Sequence, residues 1–434
     1  MPEDQSTDNS VTRREAMVDR FKSWALPVAA AVLAVGFGVA SITNGLADRN
    51  RATQATDQST AAAQSTAAEA DKTQPVCGVA DRGSLAPSSG ALFGVNLDPA
   101  AKPLAQYATE LGHKPAVTVS YVDFPYTDQD RTNLQQAAAQ IRNDGQMMLL
   151  TLEPQKGLTA ITPDAIESLV KDLASINGQG VPVVVRFAHE MNGFWFPWSQ
   201  QPVEFRAAFT QVADAVHAGA PGSAMMWAPS YAGGYAYPGR VYDVQPGTPD
   251  FTALDTNDDG ALTMADDPYA PFYPGDAAVD WVGLSLFHWG GTYPWGANAV
   301  PEPNKFADQL TGNYNGTNGD ERLLPDFYTE YAVNHSKPLA IPGTAAMYNP
   351  AAGGPAEADI KRAWWEQVFS ARTHAQFPNL KMINWFEWDR DEAEVKGRVD
   401  WTVTSTPAIR DAFTAALPDW LKYGAGAGCR PAGP

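Results

Sequence analysis

Residues 183–198 read VVVRFAHEMNGFWFPW and gather several side chains that can do chemistry. A β-branched run ends on Arg186, His189 and Glu190, and Asn192, Trp195 and Trp198 follow at once. A carboxyl set among aromatic rings is desolvated, which raises its pKa. Glu190 is thereby suited to protonate a leaving oxygen near neutral pH. Flat indole faces bind the C–H faces of sugars. Asn and His side chains hydrogen-bond hydroxyls, and Arg186 can hold a neighbouring carboxylate ionised. In the bland alternative Glu190 pairs with Arg186 or His189 in a structural role, and the Trp residues are core.

Something rigid must carry these groups. Eight β-like apolar runs occur, at 91–97, 116–124, 147–154, 181–190, 223–230, 279–287, 338–346 and 381–388, most followed by a helix-like stretch. Near-continuous apolar strands alternating with helices indicate a parallel sheet covered on both faces. Eight such units predict an α/β protein of the (β/α)₈ TIM-barrel type. An open doubly wound sheet is the alternative, and no glycine-rich dinucleotide fingerprint follows the first run. Glu153 ends the third run, His189 and Glu190 the fourth, and Trp385 and Glu387 the eighth. A barrel builds its active site at those strand ends.

The fourth-strand segment resembles glycoside hydrolase family 26. Arg186, His189, Glu190, Asn192, Gly193, Trp195 and Trp198 match that family's R-x-x-H-E-x-N-G-x-W-x-x-W pattern. VDWVGLSLFHWG resembles its sixth strand, WFEWDRDEAEVKGRVDW its eighth strand and following loop, and TLEP its third-strand end. The likeness covers about residues 91–422. It implies a barrel acting on β-linked polysaccharide (mannan, glucan or an envelope glycan), with Glu190 as general acid/base. Arg186, His189, Asn192, Trp195, Trp198, Glu153, His288, Trp289 and Trp385 are then expected to bind substrate. Trp295, Tyr293, Tyr235 and Tyr237 lie in loops expected on the same face.

One position departs from the pattern. The resemblance places a nucleophilic Glu near the end of the seventh strand, where this chain reads KPLAIPGTAA and has Gly343. Phe287, followed by His288, stands where a Tyr usually hydrogen-bonds that nucleophile. Retaining hydrolysis needs two carboxyls about 5–5.5 Å apart, so three readings stay open. Glu387, sharing a strand face with Trp385, substitutes as base or nucleophile; or the protein binds a glycan without hydrolysis; or Glu190 supports transfer of an activated sugar. Glu153 and Glu387 may equally be plain hydrogen-bonding residues.

Residues 255–266, DTNDDGALTMAD, resemble the twelve-residue calcium loop of EF-hand and dockerin proteins. Asp255, Asn257, Asp259, the Ala261 carbonyl, Thr263 and Asp266 are the expected ligands of a structural Ca²⁺, with Gly260 at the sharp turn. No zinc spacing, serine elbow or phosphate loop occurs, and no organic cofactor is expected.

The 434 residues carry 30 Lys+Arg against 49 Asp+Glu, a net charge of −19, which disfavours nucleic acid as a partner. Residues 24–43 hold twenty uncharged positions, long enough to span a bilayer. They follow Arg13, Arg14, Arg20 and Lys22, which keeps 1–23 cytoplasmic. An uncleaved anchor is expected, because cleaved signals have shorter apolar cores; cleavage would release a secreted form. Residues 44–76 read as an Ala/Thr/Ser/Gln-rich flexible linker. The barrel spans 77–429 and a tail 430–434, with the calcium loop as an insertion. Cys77 and Cys429 bracket the barrel and are expected to pair outside the cell. The expected protein is a single-pass membrane monomer with its barrel outside.

Overall fold

The computed structural model describes residues 78–424, apart from 99, 238, 241, 292, 294 and 318. The anchor at 24–43, the linker at 44–76, the 430–434 tail, Cys77 and Cys429 lie outside the described residues. Among those described, no helix is long and apolar enough to cross a membrane.

Each apolar run forms a strand: β1 (Ala91–Leu97), β2 (Val117–Asp123), β3 (Met147–Glu153), β4 (Val183–Phe187), β5 (Ser223–Trp227), β6 (Trp281–Gly283), β7 (Leu339–Thr344) and β8 (Leu380–Glu387). All pair in parallel with their sequence neighbours, and β8 pairs back onto β1 from Leu92↔Met382 to Leu97↔Glu387. The sheet is thus a closed eight-stranded barrel, as the alternation of runs predicts.

Helices α1 (Leu104–Leu111), α2 (Asp128–Asn143), α3 (Pro163–Gly178) and α4 (Pro202–Gly219) follow the first four strands. Others follow the rest: α5 (Pro249–Leu254), α6 (Lys305–Leu310), α7 (Glu357–Val368), α8 (Ala371–Gln376) and α9 (Pro407–Ala416). Three helices begin with Thr-Pro. Thr162, Thr248 and Thr406 each accept a backbone N–H of the first turn, and the proline presets φ at the first helical position.

Both faces of most strands are buried, β2 being partly exposed. Val183, Val185 and Phe187 pack outward in the strand–helix layer, while Val184 packs inward with Val117, Leu149, Met226 and Met382. Burial of each such side chain contributes about 1.5–3 kcal/mol. Leu85 closes this inner core from the side where the strands begin. On the same side Leu421–Lys422 pairs with Ala91–Leu92, and the Val79 N–H donates to the Asn177 carbonyl. At the other side, immediately after β8, the antiparallel hairpin β9 (Asp389–Glu392) and β10 (Gly397–Asp400) stands at the barrel mouth.

Candidate active site

Inward positions near the strand ends switch from apolar to polar and form a floor. Arg186 donates from Nε to the Thr151 hydroxyl (2.9 Å) and from Nη2 to the Tyr121 hydroxyl (3.0 Å). The Asn96 amide donates to the same Tyr121 oxygen (2.7 Å) and accepts from the Trp388 indole (3.0 Å). Arg186 is buried and, among the described residues, forms no ion pair within 4.0 Å. Its charge acts instead as a field that lowers the pKa of both Glu153 and Glu190.

Beyond Phe187 the chain takes two left-handed residues, Ala188 (φ 46°) and Glu190 (φ 55°). Such backbone costs energy in a non-glycine residue and persists only when its surroundings hold it. Here the Ala188 N–H donates to the Leu152 carbonyl (2.9 Å) and the Glu190 N–H to the Ala228 carbonyl (2.8 Å). The Trp198 indole clamps the His189 carbonyl (2.8 Å). These bonds turn Glu190 into the cleft, where Trp195 donates its indole N–H to Oε2 (3.0 Å). Gly193 makes this possible, since a Cβ there would meet the Trp195 ring at 2.5 Å. Burial raises the pKa of Glu190. Ser285, Arg186, Trp195 and Arg390 pull it back, although the Ser285 hydroxyl has no partner of full hydrogen-bond geometry.

Glu153 and His189 lie buried together, with His189 Nε2 4.0 Å from Glu153 Oε1. Burial and the neighbouring Asp123, its register partner, push Glu153 up to about 8. Burial and Arg186 hold His189 well below its ordinary value, so the imidazole is neutral. Both edges of the pair keep an unpartnered atom, Glu153 Oε1 and His189 Nδ1.

The seventh-strand position is closed by an aromatic ring. β7 carries one more residue than β8 between Ile341↔Ile383 and Thr344↔Trp385, a bulge that re-aims Gly343 toward the cleft. A Cβ on Gly343 would meet Phe287 Cζ at 2.9 Å. Phe287 thus fills the volume a longer side chain would need, and it packs edge-on against Phe386 and Trp401.

Several expected site residues sit elsewhere. Glu387 and Trp385 do share a strand face, but it is the outer one. Trp385 packs on Phe369 and Phe413, and Glu387 accepts from the Val403 and Thr404 N–H groups (both 2.9 Å) and the Thr404 hydroxyl. Asn384 and Phe386 hold the inward positions, so Glu387 is corrected from substitute base to structural carboxylate. Asn192 is buried and ties β4 to β5 through paired bonds with Ser230 (2.8 and 2.9 Å). Trp198 is core, stacked on Phe196 at 4.4 Å. His288 is buried against Trp364, bonded to the Ala299 carbonyl (2.7 Å), and pushed down to about 4 by burial. Glu153 lies beneath the cleft rather than in its wall.

Arg186, His189, Glu190, Trp195, Trp289, Trp295 and Tyr237 do line one cleft. Residue reasoning missed Tyr121, Phe386, Arg390, Glu392, Glu394, Trp401 and Glu321, which line it too. Tyr121 carried a signal: it continues the inward series Val117, Val119 at period two. The hairpin residues lie in the stretch that resembles the family's eighth strand and following loop, a likeness that gave none of them a role.

In the 255–266 loop, Gly260 takes φ 82° and donates to Asp255 (2.9 Å). The Asp259 N–H donates to Asp255 and Asn257 (3.1 and 3.0 Å). Asp266 is buried and accepts from the N–H groups of Thr256 and Thr263 (both 2.8 Å). Among the described residues, no three His, Cys, Asp or Glu side chains gather as a metal cluster.

No curated protein sequence matches the chain. Many solved structures resemble it, three of which follow. A GH26 β-mannanase from Bacteroides ovatus is 15 % identical, with a TM-score of 0.49, covering 77 % of this chain and 91 % of that one. A modular endo-β-1,4-mannanase from Cellulomonas fimi is 16 % identical (TM-score 0.48; 82 % and 80 % covered). A Bacillus subtilis mannanase is 13 % identical (TM-score 0.42; 77 % and 87 % covered). The family model described as Glycosyl hydrolase family 26 matches residues 132–222, and this chain is therefore similar to that family over the segment that holds β3, β4 and Glu190.

Proposed function

We propose that the protein is an extracytoplasmic glycoside hydrolase acting on a β-linked polysaccharide, with Glu190 as general acid/base. The observation that carries this reading is the Glu190 carboxyl, half-buried in an open cleft lined by aromatic rings and held by the Trp195 indole. Its raised pKa favours the protonated form that can donate to a glycosidic oxygen. Trp195, Trp289 and Trp295 supply faces on which pyranose rings stack. The match to a glycosyl hydrolase model over 132–222 supports the same class. In this reading the protein is a monomer tethered to the cell membrane by residues 24–43, or secreted if that segment is cleaved.

A second reading is favoured by one observation. Phe287 occupies the volume beside Gly343, and a barrel so closed fits a glycan-binding protein that performs no hydrolysis. One experiment separates the two. The purified chain is incubated with β-mannans, β-glucans, xylans and envelope glycans, and new reducing ends and binding are both measured. Cleavage supports the hydrolase. Binding without cleavage, weakened at least tenfold in Trp195→Ala (about 1.4 kcal/mol), supports the receptor. Neither cleavage nor binding overturns both.

We also propose a structural Ca²⁺ in the 255–266 loop, held by Asp255, Asn257 and Asp259 with Gly260 at the turn. The Asx-type bonds that converge on Asp255 and Asn257 support it. Calcium is expected to raise the melting temperature, and Asp255→Ala with Asp259→Ala to remove that rise. Equal melting temperatures in calcium and in chelator would rule the ion out.

A further inference from the structure

We infer that Glu394, on the turn joining β9 to β10, is the second catalytic carboxylate of the cleft, the general base that activates water opposite Glu190. This rests on the hydrolytic reading above and supplies the partner that reading lacks.

Four carboxylates line the cleft among the described residues: Glu190, Glu321, Glu392 and Glu394. Two of them are occupied. Glu392 is buried, holds Arg390 through two bonds (2.8 and 2.9 Å) and accepts from the Trp401 indole (3.0 Å). Glu321 accepts from the Tyr231 hydroxyl (2.6 Å). Among the described residues, Glu394 takes a hydrogen bond only from its own backbone N–H, with the Arg390 charge near it, so its oxygens remain available to a water. No carboxylate reaches the cleft from β7, where Phe287 fills the space, nor from the end of β8, where Glu387 points outward.

The placement suits the role. The β9–β10 hairpin follows β8, and β4 lies four strands away around an eight-stranded barrel. Glu190 and Glu394 therefore reach one cleft from elements on opposite sides of the barrel. Inverting hydrolysis calls for such separated carboxyls, whereas a retaining pair must sit close. Glu394 is half-buried. Desolvation, with Glu392 and Glu190 nearby, raises its pKa, which makes its carboxylate a stronger base.

The step balances without a further reactant. A water oxygen bonds to the anomeric carbon as the bond from that carbon to the leaving oxygen breaks. One proton passes from the water to Glu394, and one from Glu190 to the leaving oxygen. Exchange with solvent then restores both groups.

The test uses the full chain and a β-linked oligosaccharide from the glycan it cleaves, with the first-formed anomer followed by proton NMR. The α anomer is expected from wild type. Glu394→Gln should lose about 10³-fold in kcat while keeping glycan affinity, which also reports its folding. Glu394→Ala with azide should regain turnover and release an α-glycosyl azide. A first-formed β anomer, or Glu394→Gln cleaving within threefold of wild type, would overturn the assignment. Wild type that binds glycan and cleaves none would overturn the hydrolytic reading itself, an outcome distinct from the other two.

Discussion

Replacing Glu190 by Gln is expected to slow glycan cleavage about 10²–10⁴-fold, the usual contribution of a general acid, with little change in glycan affinity. The amide keeps the shape and still accepts the Trp195 indole N–H, so the cleft is preserved, but it has no proton to give. The loss should fall on kcat. Wild-type activity should also decline as pH rises through the Glu190 pKa, because only the protonated carboxyl donates. That pKa is raised by burial, so the decline sets in above the ordinary carboxylate range. Substrates with good leaving groups need less protonation and should suffer less. A Glu190→Gln variant as active as wild type on unactivated glycan would remove Glu190 from the chemistry.

Glu153→Gln should change how stability depends on pH. The Glu153 pKa rises from 4.5 to about 8 on folding. Its folded pKa exceeds the unfolded one, so its contribution is complete below pH 4.5 and is lost as pH rises through 8. At about 1.36 kcal/mol per unit, a shift of 3.5 units (8 − 4.5) corresponds to at most about 5 kcal/mol. His189 acts in the opposite sense, since its folded pKa is depressed and its contribution is lost as pH falls below 6.5. The clean window is therefore pH 6.5 to 8, where Glu153 alone accounts for about 2 kcal/mol. Wild type should lose stability across it, and Glu153→Gln should lose much less. Parallel melting-temperature profiles for the two proteins would show that the carboxyl ionises without penalty.

The barrel was legible because parallel strands buried on both faces read as continuous apolar runs; seven of the eight runs contain their strand, and the eighth strand begins one residue before its run. The same property hid which way each side chain faces. In β8 the residues Met382, Ile383, Trp385 and Phe386 are all apolar, so alternation gives no parity. Sequence reasoning could pair Trp385 with Glu387 but could not tell the helix layer from the cleft. Glu190 and Trp195 were legible because a carboxyl among indoles at a strand end has few other uses. Asn192 and Trp198 look identical in sequence to sugar-reading groups, yet the left-handed turn after β4 consumes both as struts. Glu394 lay in a stretch noted only for its resemblance, because its hairpin follows neither the period of a helix nor that of a buried strand, so nothing in the pattern turned it toward the cleft. Gly343 stood out in the sequence because the family resemblance places a carboxylate there. That the Phe287 ring lies against Gly343 became visible only once β6 and β7 lay side by side.

The closed base of the barrel fixes where the described ends of the chain leave it. Leu85 plugs the side where the strands begin, and the last described strand residues, Leu421–Lys422, pair with the first two of β1 on that side. Both described ends of the chain thus leave from the pole opposite the cleft. A tether attached before residue 78 would hold the barrel like a cup on its base, its opening turned outward. Long polymers could then be drawn across the mouth without meeting the surface beneath, and immobilising the protein by either end would leave the opening equally free.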